Sequence, residues 1–553
     1  MGPGVEHHAS GDVMTPRPAG TTTSHLESSS VGSKQQQPSN SSPSSPLHVM
    51  VSPLASRPKN RIRAFVEGMK VQEKPGAKDA KRAKKADAEA KDTLNLSLGD
   101  PTALGLRPPR EALEAVAQAL TADVAGGAAS VKAAHGYQHS QGSPAARASV
   151  ASALRPSPPH GAEDVYITSG CSQALQIALT AVAGEAPSLG LPTRRVLMPR
   201  PCFPLYLTIC EHIGAEPLYY DLDPSRGWEA DLAQLEALCN ESFDQKGTPP
   251  PHNAKAKDGT RQKATRSSSS SSVACLLLCN PGNPTGHCYG RSHLAALCRL
   301  AMRVGIPIVA DEVYADMAFK SQRAAFHPVA EVAAEVARAT QQAPPVVMSC
   351  GAVSKRFLVP GWRLGWLGVY DPSDLLKGSG VREGLASLCQ IAMTPNSLVQ
   401  NALPSIIANT PQTYHDTLLA TLERGAAYCA ARCAGCPGLE AMSPPQGAMY
   451  FMPKVQCARF AAVIKKYARH AEPAHDSEEK EGKGRGLDGV VEPLELVWCR
   501  ALLAEEKVFV LPGDLFGIPT FVRIVSAAPV DGTLDKAWDR IEAFCKRHCD
   551  APC

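Results

Sequence analysis

Between about residues 93 and 390, short apolar runs alternate with longer stretches of helical period. Val165-Tyr166-Ile167 precedes a helical pattern over 172–183. Arg195-Val196-Leu197-Met198 leads into Pro199, Ala274-Cys275-Leu276-Leu277-Leu278 into Asn280, and Pro307-Ile308-Val309-Ala310 into Asp311. A fifth run, Pro345-Val346-Val347-Met348, leads toward Lys355. Runs that are apolar throughout, rather than alternating, are strands covered on both faces, and helices between them make the sheet largely parallel. The pattern predicts an α/β fold: a large domain built on a mostly parallel sheet, with its ligands beyond the carboxyl ends of the strands. From about residue 391 the sequence reads as a smaller α+β domain that ends in the strand-like Phe521-Val522-Arg523-Ile524-Val525.

The interruptions of this pattern divide the chain. Residues 1–92 are expected to form a disordered extension and linker: Ser-, Pro- and Gln-rich to about 60, then charged and helix-prone over 78–91. Residues 93–120 are assigned to the smaller domain and 121–390 to the large one, with a low-complexity insertion at 243–272. Residues 391–553 complete the smaller domain, with a charged insertion at 470–492. Such insertions are surface loops, because closure entropy grows slowly with loop length.

Composition narrows the class without naming a chemistry. A length of 553 residues favours two domains plus extras, and a net charge of +4 calls for neither nucleic acid nor an anionic membrane as partner. No apolar stretch approaches the roughly 18 residues that span a bilayer. The 18 cysteines are scattered, and the one Cys-x-x-Cys, Cys433 and Cys436, has no second pair at zinc spacing, so it reads as buried thiols. With no secretory segment at the start, the expected compartment is the cytoplasm, with an organellar address in the N-terminal extension left open.

The candidate chemistry lies at the ends of the apolar runs. Lys355 sits in Val-Ser-Lys-Arg-Phe-Leu-Val-Pro-Gly-Trp-Arg-Leu-Gly-Trp, residues 353–366, and Arg363 follows it in the same segment. Lysine condenses with aldehydes and arginine clamps phosphates, so the pair suits pyridoxal phosphate, an aldehyde that carries a phosphate. Asp311 is placed to pair with a pyridinium nitrogen and Tyr314 to donate to a ring oxygen. Asn283, in Asn-Pro-Gly-Asn-Pro-Thr-Gly (280–286), can present an amide. Gly170, Cys171 and Ser172 put backbone N–H groups and a hydroxyl at a helix start, a natural phosphate seat. Phe203 can stack on a ring. Each has an ordinary alternative: a solvated lysine, a helix-capping aspartate, a plain turn, a core phenylalanine. Their joint occurrence at successive strand ends is what points to a site.

Together these segments resemble the class I/II aminotransferases of fold type I, from about Thr93 to Cys545 apart from the two insertions. The likeness includes Leu-Asn-Leu-Ser-Leu-Gly-Asp-Pro-Thr (94–102), Thr-Ser-Gly-Cys-Ser-Gln-Ala (168–174), Asp-Glu-Val-Tyr-Ala-Asp-Met-Ala-Phe (311–319), the Lys355 segment and Gly-Ala-Met-Tyr (447–450). Within the family it is strongest toward members that act on tyrosine. The resemblance implies that Lys355 binds pyridoxal phosphate covalently and carries the proton between substrate and cofactor. It implies that Asp311 holds the ring nitrogen, that Tyr314 and Asn283 hold the ring oxygen, and that Phe203 stacks on the ring. Gly170, Cys171, Ser172, Ser354 and Arg363 would hold the phosphate. Arg523, with Asn283 and the Gly99 backbone, would grip the substrate carboxylate. Tyr137 matches a tyrosine that the family lends to the neighbouring subunit, which implies a homodimer. The implied reaction passes the amino group of an aromatic L-amino acid, tyrosine foremost, to 2-oxoglutarate by a ping-pong cycle. Donors of alanine, kynurenine or nicotianamine type, or a lyase on the same scaffold (ACC synthase-like or carbon–sulfur), are the alternatives. Ala352, three residues before the lysine, departs from the usual Gly or Ser; Cys202 and Pro204 beside Phe203 also differ from close relatives.

Overall fold

The computed structural model describes residues 60–70, 92–125, 128–154, 161–184, 193–244, 272–468 and 492–550. The expectations for the extension before residue 60, for the linker at 78–91 and for most of the two insertions lie outside these residues.

The large lobe is organised by an eight-stranded sheet. Its strands are β2 (Val165–Thr168), β3 (Arg194–Arg200), β4 (Glu216–Asp223), β5 (Glu229–Ala230), β6 (Ser272–Cys279), β7 (Ile308–Asp311), β8 (Val347–Ala352) and β9 (Gly365–Tyr370); β1 (Leu94–Asn95) lies outside this sheet. The order across the sheet is β2-β9-β8-β7-β6-β3-β4-β5. The pairs β3–β4, β3–β6, β6–β7 and β7–β8 are parallel, as the unbroken apolar runs predict. Strand β9 is reversed against both of its neighbours, and the short edge strand β5 is reversed against β4. The apolar-run pattern does not single out β9, whose glycines dilute its apolar character. It also places the strand before Lys355 earlier than it lies: β8 runs to Ala352, so small residues continue it almost to the lysine.

Helices cover both faces. In helix Cys171–Ala183 the buried positions 171, 174, 175, 177, 178, 179 and 183 recur every three to four residues and lie against β3, β6, β8 and β9. On the other face, helices Arg291–Val304 and Val329–Thr340 pack over Leu276, Leu278, Ile308 and Val347. Truncating a fully buried side chain such as Leu277 to alanine costs about 2–5 kcal/mol, by lost transfer energy and the cavity left behind.

The smaller lobe combines helices Gln412–Ala434, Leu494–Glu506 and Asp535–His548 with short strands. These strands are β10 (Leu439–Glu440), β11 (Tyr450–Phe451), β12 (Lys454–Val455), β13 (Val508–Phe509), β14 (Leu511–Pro512) and β15 (Val522–Val525). They form a β10–β12 pair and a three-stranded β11-β15-β14 sheet. Trp498, Trp538, Phe460 and Phe544 pack at its centre. Cys433 and Cys436 are buried there, and every described cysteine is a free thiol.

One connection matters for the site. The segment after residue 93 enters the smaller lobe by pairing β1 with β13 in parallel, and Leu96 continues the ladder to Phe509 and Val525. A cluster containing Tyr314, Phe319 and Leu358 from the large lobe, and Leu422, Met449, Tyr450 and Val525 from the smaller one, packs the two lobes together. No described helix is long and apolar enough to cross a membrane.

Candidate active site

The parallel strands place their carboxyl ends along one edge of the sheet. Thr168 of β2, Asp311 of β7, Cys279 of β6 and Ala352 of β8 all end there, and the loops beyond them carry Gly170, Asn283 and Lys355. Because β9 runs the other way, its start lies on this same edge, and Arg363 precedes it. Chain direction alone thus gathers five of the predicted residues from distant parts of the sequence.

Asp311 is 3% exposed, and its hydrogen-bond donors are all neutral. Its Oδ2 accepts from the Tyr206 hydroxyl at 2.6 Å; its Oδ1 accepts from the Val313 N–H at 3.2 Å and the Cys171 thiol at 3.4 Å. Burial pushes the carboxyl above the ordinary carboxylate range, while these three donors and the charge on Lys355 pull it back. Tyr206 lies on helix Leu205–Ile213, just after Phe203, and the two rings meet edge to face at 5.9 Å. Phe203 itself is half-buried.

The opposite end of the site is a buried cation. Arg523, on β15, is 3% exposed, and burial lowers its pKa from the usual arginine value. Its Nη1 donates to the Asn283 side-chain oxygen at 3.0 Å and its Nη2 to the Ser97 carbonyl at 2.7 Å. The guanidinium lies 4.5 Å from the centre of the Tyr450 ring and 4.7 Å from that of Phe516, while Nε is buried with no acceptor. The Tyr450 hydroxyl meets that of Tyr314 at 2.6 Å, and burial raises Tyr314 well above the ordinary phenol range.

Lys355 stands in the short helix Val353–Arg356 and donates through Nζ to the Gly99 carbonyl. Gly99 is a place of close approach: a Cβ there would sit 2.3 Å from the Tyr450 hydroxyl oxygen, so any larger residue would displace that ring. Gly170 is another. Its φ of +87° turns the chain from β2 into helix Cys171–Ala183, and a Cβ would lie 2.5 Å from an Arg363 nitrogen. Arg363, exposed, donates to the carbonyls of Pro360 (3.0 Å) and Ser169 (3.2 Å), so its positive charge lies over that helix start. Ser172 is exposed in the first turn, and Ser354 is buried beside Lys355.

The contacts described so far join Lys355 to Gly99, bring Gly99, Tyr314 and Arg523 to Tyr450, join Arg523 to Asn283, and join Gly170 to Arg363; Asp311 meets Cys171 directly and Lys355 through its charge alone. Tyr137 is 78% exposed and takes part in none of them. Tyr206, Tyr450, Phe516 and Ser97 belong to the site without having been singled out from the sequence. A separate cavity of 490 Å³ lies behind β8, between Glu312, Gly351 and Arg356 on one side and His415 and Leu419 on the other. None of the predicted site residues lines it.

The arrangement fits a particular kind of guest. Among the described residues neither Asp311 nor Arg523 has an oppositely charged side chain at ion-pairing distance, although isolated buried charges are costly. A ligand with a cationic nitrogen at one end, an anion at the other, and a phosphate for Gly170 and Arg363 would satisfy all three places. These strand-end positions around a lysine are those of an aminotransferase, and the chain belongs to the class I and II aminotransferase family, whose pattern matches residues 91–541. The chain is 33% identical to the tyrosine aminotransferase of Bos taurus over 502 residues, 90% of this chain and 89% of that protein. It is 32% identical to the human tyrosine aminotransferase, over 90% and 88%. The crystal structure of tyrosine aminotransferase from Leishmania infantum superposes with a TM-score of 0.66 at 25% identity, covering 92% of this chain and all of that one. The protein is a pyridoxal-phosphate-type aminotransferase by family and fold.

Proposed function

We propose that this enzyme takes the amino group of tyrosine onto pyridoxal phosphate and passes it to 2-oxoglutarate in a ping-pong cycle. The observation that carries the reading is a pair of buried charges that make no ion pair among the described residues, an anion at Asp311, which feels the charge of Lys355, and a cation at Arg523. When bound, the cofactor supplies an electron sink for the charge left when the substrate α-carbon loses its proton. The relatives named for tyrosine support the choice of donor.

In this reading the chain's own residues divide the work. Asp311 holds the ring nitrogen and keeps its proton there; Tyr314 and Asn283 donate to the ring oxygen; Phe203 covers one ring face. Gly170, Cys171 and Ser172 offer the phosphate a helix N-terminus, and Arg363 and Ser354 complete its seat. Arg523 clamps the substrate carboxylate through two N–H groups, with Asn283 and Gly99 beside it. Lys355 would take the α-proton of the substrate and return it on the other side of the reaction, as the base nearest the carbon. Its bond to Gly99 fixes the amine at the lobe boundary, where the carboxylate end of the substrate lies.

The same reading assigns 93–120 and 391–553 to a small domain and 121–390 to a large one. It makes the enzyme a cytoplasmic homodimer in which Tyr137, exposed in one chain, reaches the phosphate held by the other. The direct test mixes purified protein, pyridoxal phosphate, tyrosine and 2-oxoglutarate. Formation of hydroxyphenylpyruvate and glutamate is the expected outcome. Release of pyruvate and ammonia from cysteine derivatives, with no transfer from tyrosine, would replace it with a lyase reading.

A further inference from the structure

The hydrogen bonds to Asp311 are distributed unequally over its two oxygens. A carboxylate offers about four acceptor positions. Oδ1 already receives two donors, Val313 N–H and Cys171 Sγ; Oδ2 receives only the Tyr206 hydroxyl. The acceptor position left for a ring nitrogen is therefore on Oδ2, the oxygen that Tyr206 holds at 2.6 Å.

We infer that Tyr206 is a positioning residue that, by sharing Oδ2 with the cofactor's ring nitrogen, keeps the proton on that nitrogen rather than on Asp311. This inference rests on the proposed cofactor reading and adds to it the residue that tunes its electron sink. In a dry site the ion pair between pyridinium and carboxylate competes with a neutral pair in which the proton has moved to oxygen. Burial favours the neutral form of Asp311, and the Tyr206 donation is the largest of the opposing influences. Tyr206 is fully buried, and its own pKa lies well above the phenol range, chiefly through burial, so its hydroxyl remains a donor at any working pH. Its ring also braces Phe203 edge to face, and a phenylalanine would preserve that contact. Tyr206→Phe therefore separates the hydroxyl from the packing.

The test reconstitutes wild-type and Tyr206→Phe apoenzymes with pyridoxal phosphate labelled with ¹⁵N at the ring. It reads the nitrogen chemical shift, the pH dependence of the bound cofactor's visible absorbance, and kcat and KM for the amino donor. In the wild type the nitrogen should resonate as a pyridinium. In Tyr206→Phe it should move toward the unprotonated pyridine position, with kcat down about 10- to 100-fold, the range of one hydrogen bond to a charged group, and KM nearly unchanged. Cys171→Ala should shift the nitrogen in the same direction by less, since its thiol is a weaker and longer donor, and it serves as the second variant if Tyr206→Phe does not fold. An unchanged pyridinium resonance in a folded, cofactor-loaded Tyr206→Phe, or in Cys171→Ala where only that variant folds, would overturn the inference and leave the cofactor reading standing. A wild type that takes up no pyridoxal phosphate would overturn both.

Discussion

The two ends of this site handle a buried charge in different ways. At the sheet end, Asp311 is an anion held by three neutral donors, two from side chains and one from its own turn. At the lobe boundary, Arg523 is a cation with two neutral acceptors, two aromatic faces and one nitrogen left unpaired. The sheet end is built almost wholly from one lobe, and its geometry follows from strand direction. The boundary end is assembled from β15, the 280–286 turn and the segment around Ser97, so it depends on how the lobes meet. The first is suited to a guest that stays and the second to guests that come and go.

Mutations can break this contrast from either side. Lys355→Ala, between the two ends, should reduce turnover to background and remove the absorbance of covalently bound cofactor, read by spectrum and assay on one sample. Asp311→Asn should lower kcat by about 10²- to 10³-fold, in the range seen when a preorganised electrostatic partner is lost, and should weaken cofactor retention. Arg523→Gln should instead leave cofactor absorbance intact and lower kcat/KM for the amino donor by about 100-fold, the scale of a truncated buried charge contact. If Arg523→Gln also released the cofactor, the division between the two ends would fail. Gly99→Ala drives a methyl group into Tyr450 and should raise KM by about tenfold through a displaced Arg523, with the spectrum unaltered.

The smallest effect on turnover concerns a carboxyl one residue from Asp311. Glu312 is buried, accepts from the Val329 N–H at 2.8 Å, and is pushed up to about 7 by burial. Its folded-state pKa is raised, so its contribution to stability is full below the ordinary glutamate range and is lost as pH rises toward 7. Urea unfolding at pH 5 and pH 8 should show wild type losing up to about 3 kcal/mol relative to Glu312→Gln across that interval. An identical pH dependence in the two proteins would mean that Glu312 is not held as the structure describes. A positive result separates a carboxyl buried for structure from Asp311, whose removal should act on kcat.

Much of the sheet end was readable from the chain because local order encodes it: an apolar run, then Asp311; another, then Asn283; another, then Lys355. Strand polarity turns those three sequence positions into neighbours. The reversal of β9 was not readable, since a strand covered on both faces carries the same apolar signature in either direction. Tyr206 could not be told from a core aromatic, because what marks it is a partner 105 residues away. Tyr450 lay in a noticed motif, Gly-Ala-Met-Tyr, yet its position under Arg523 arises only when β11 and β15 pair. Phe516 and Ser97 are cases of the same kind: one is an ordinary apolar residue and the other contributes a backbone carbonyl.

The reversed strand has a consequence for how the chain can vary. A parallel connection between neighbouring strands has to cross from one end of the sheet to the other. By running back, β9 keeps the whole connection from Val353 to Leu364 at the edge where β8 ends, and Arg363 with it. Lysine and arginine are thereby held on one short tether, a ruler with no slack. Between Asp244, where one helix ends, and Ser272, where β6 begins, the chain spends many more residues. Between Lys355 and Arg363 a single inserted residue would change the ruler itself, so this is where the length of the sequence, as well as its letters, carries the chemistry.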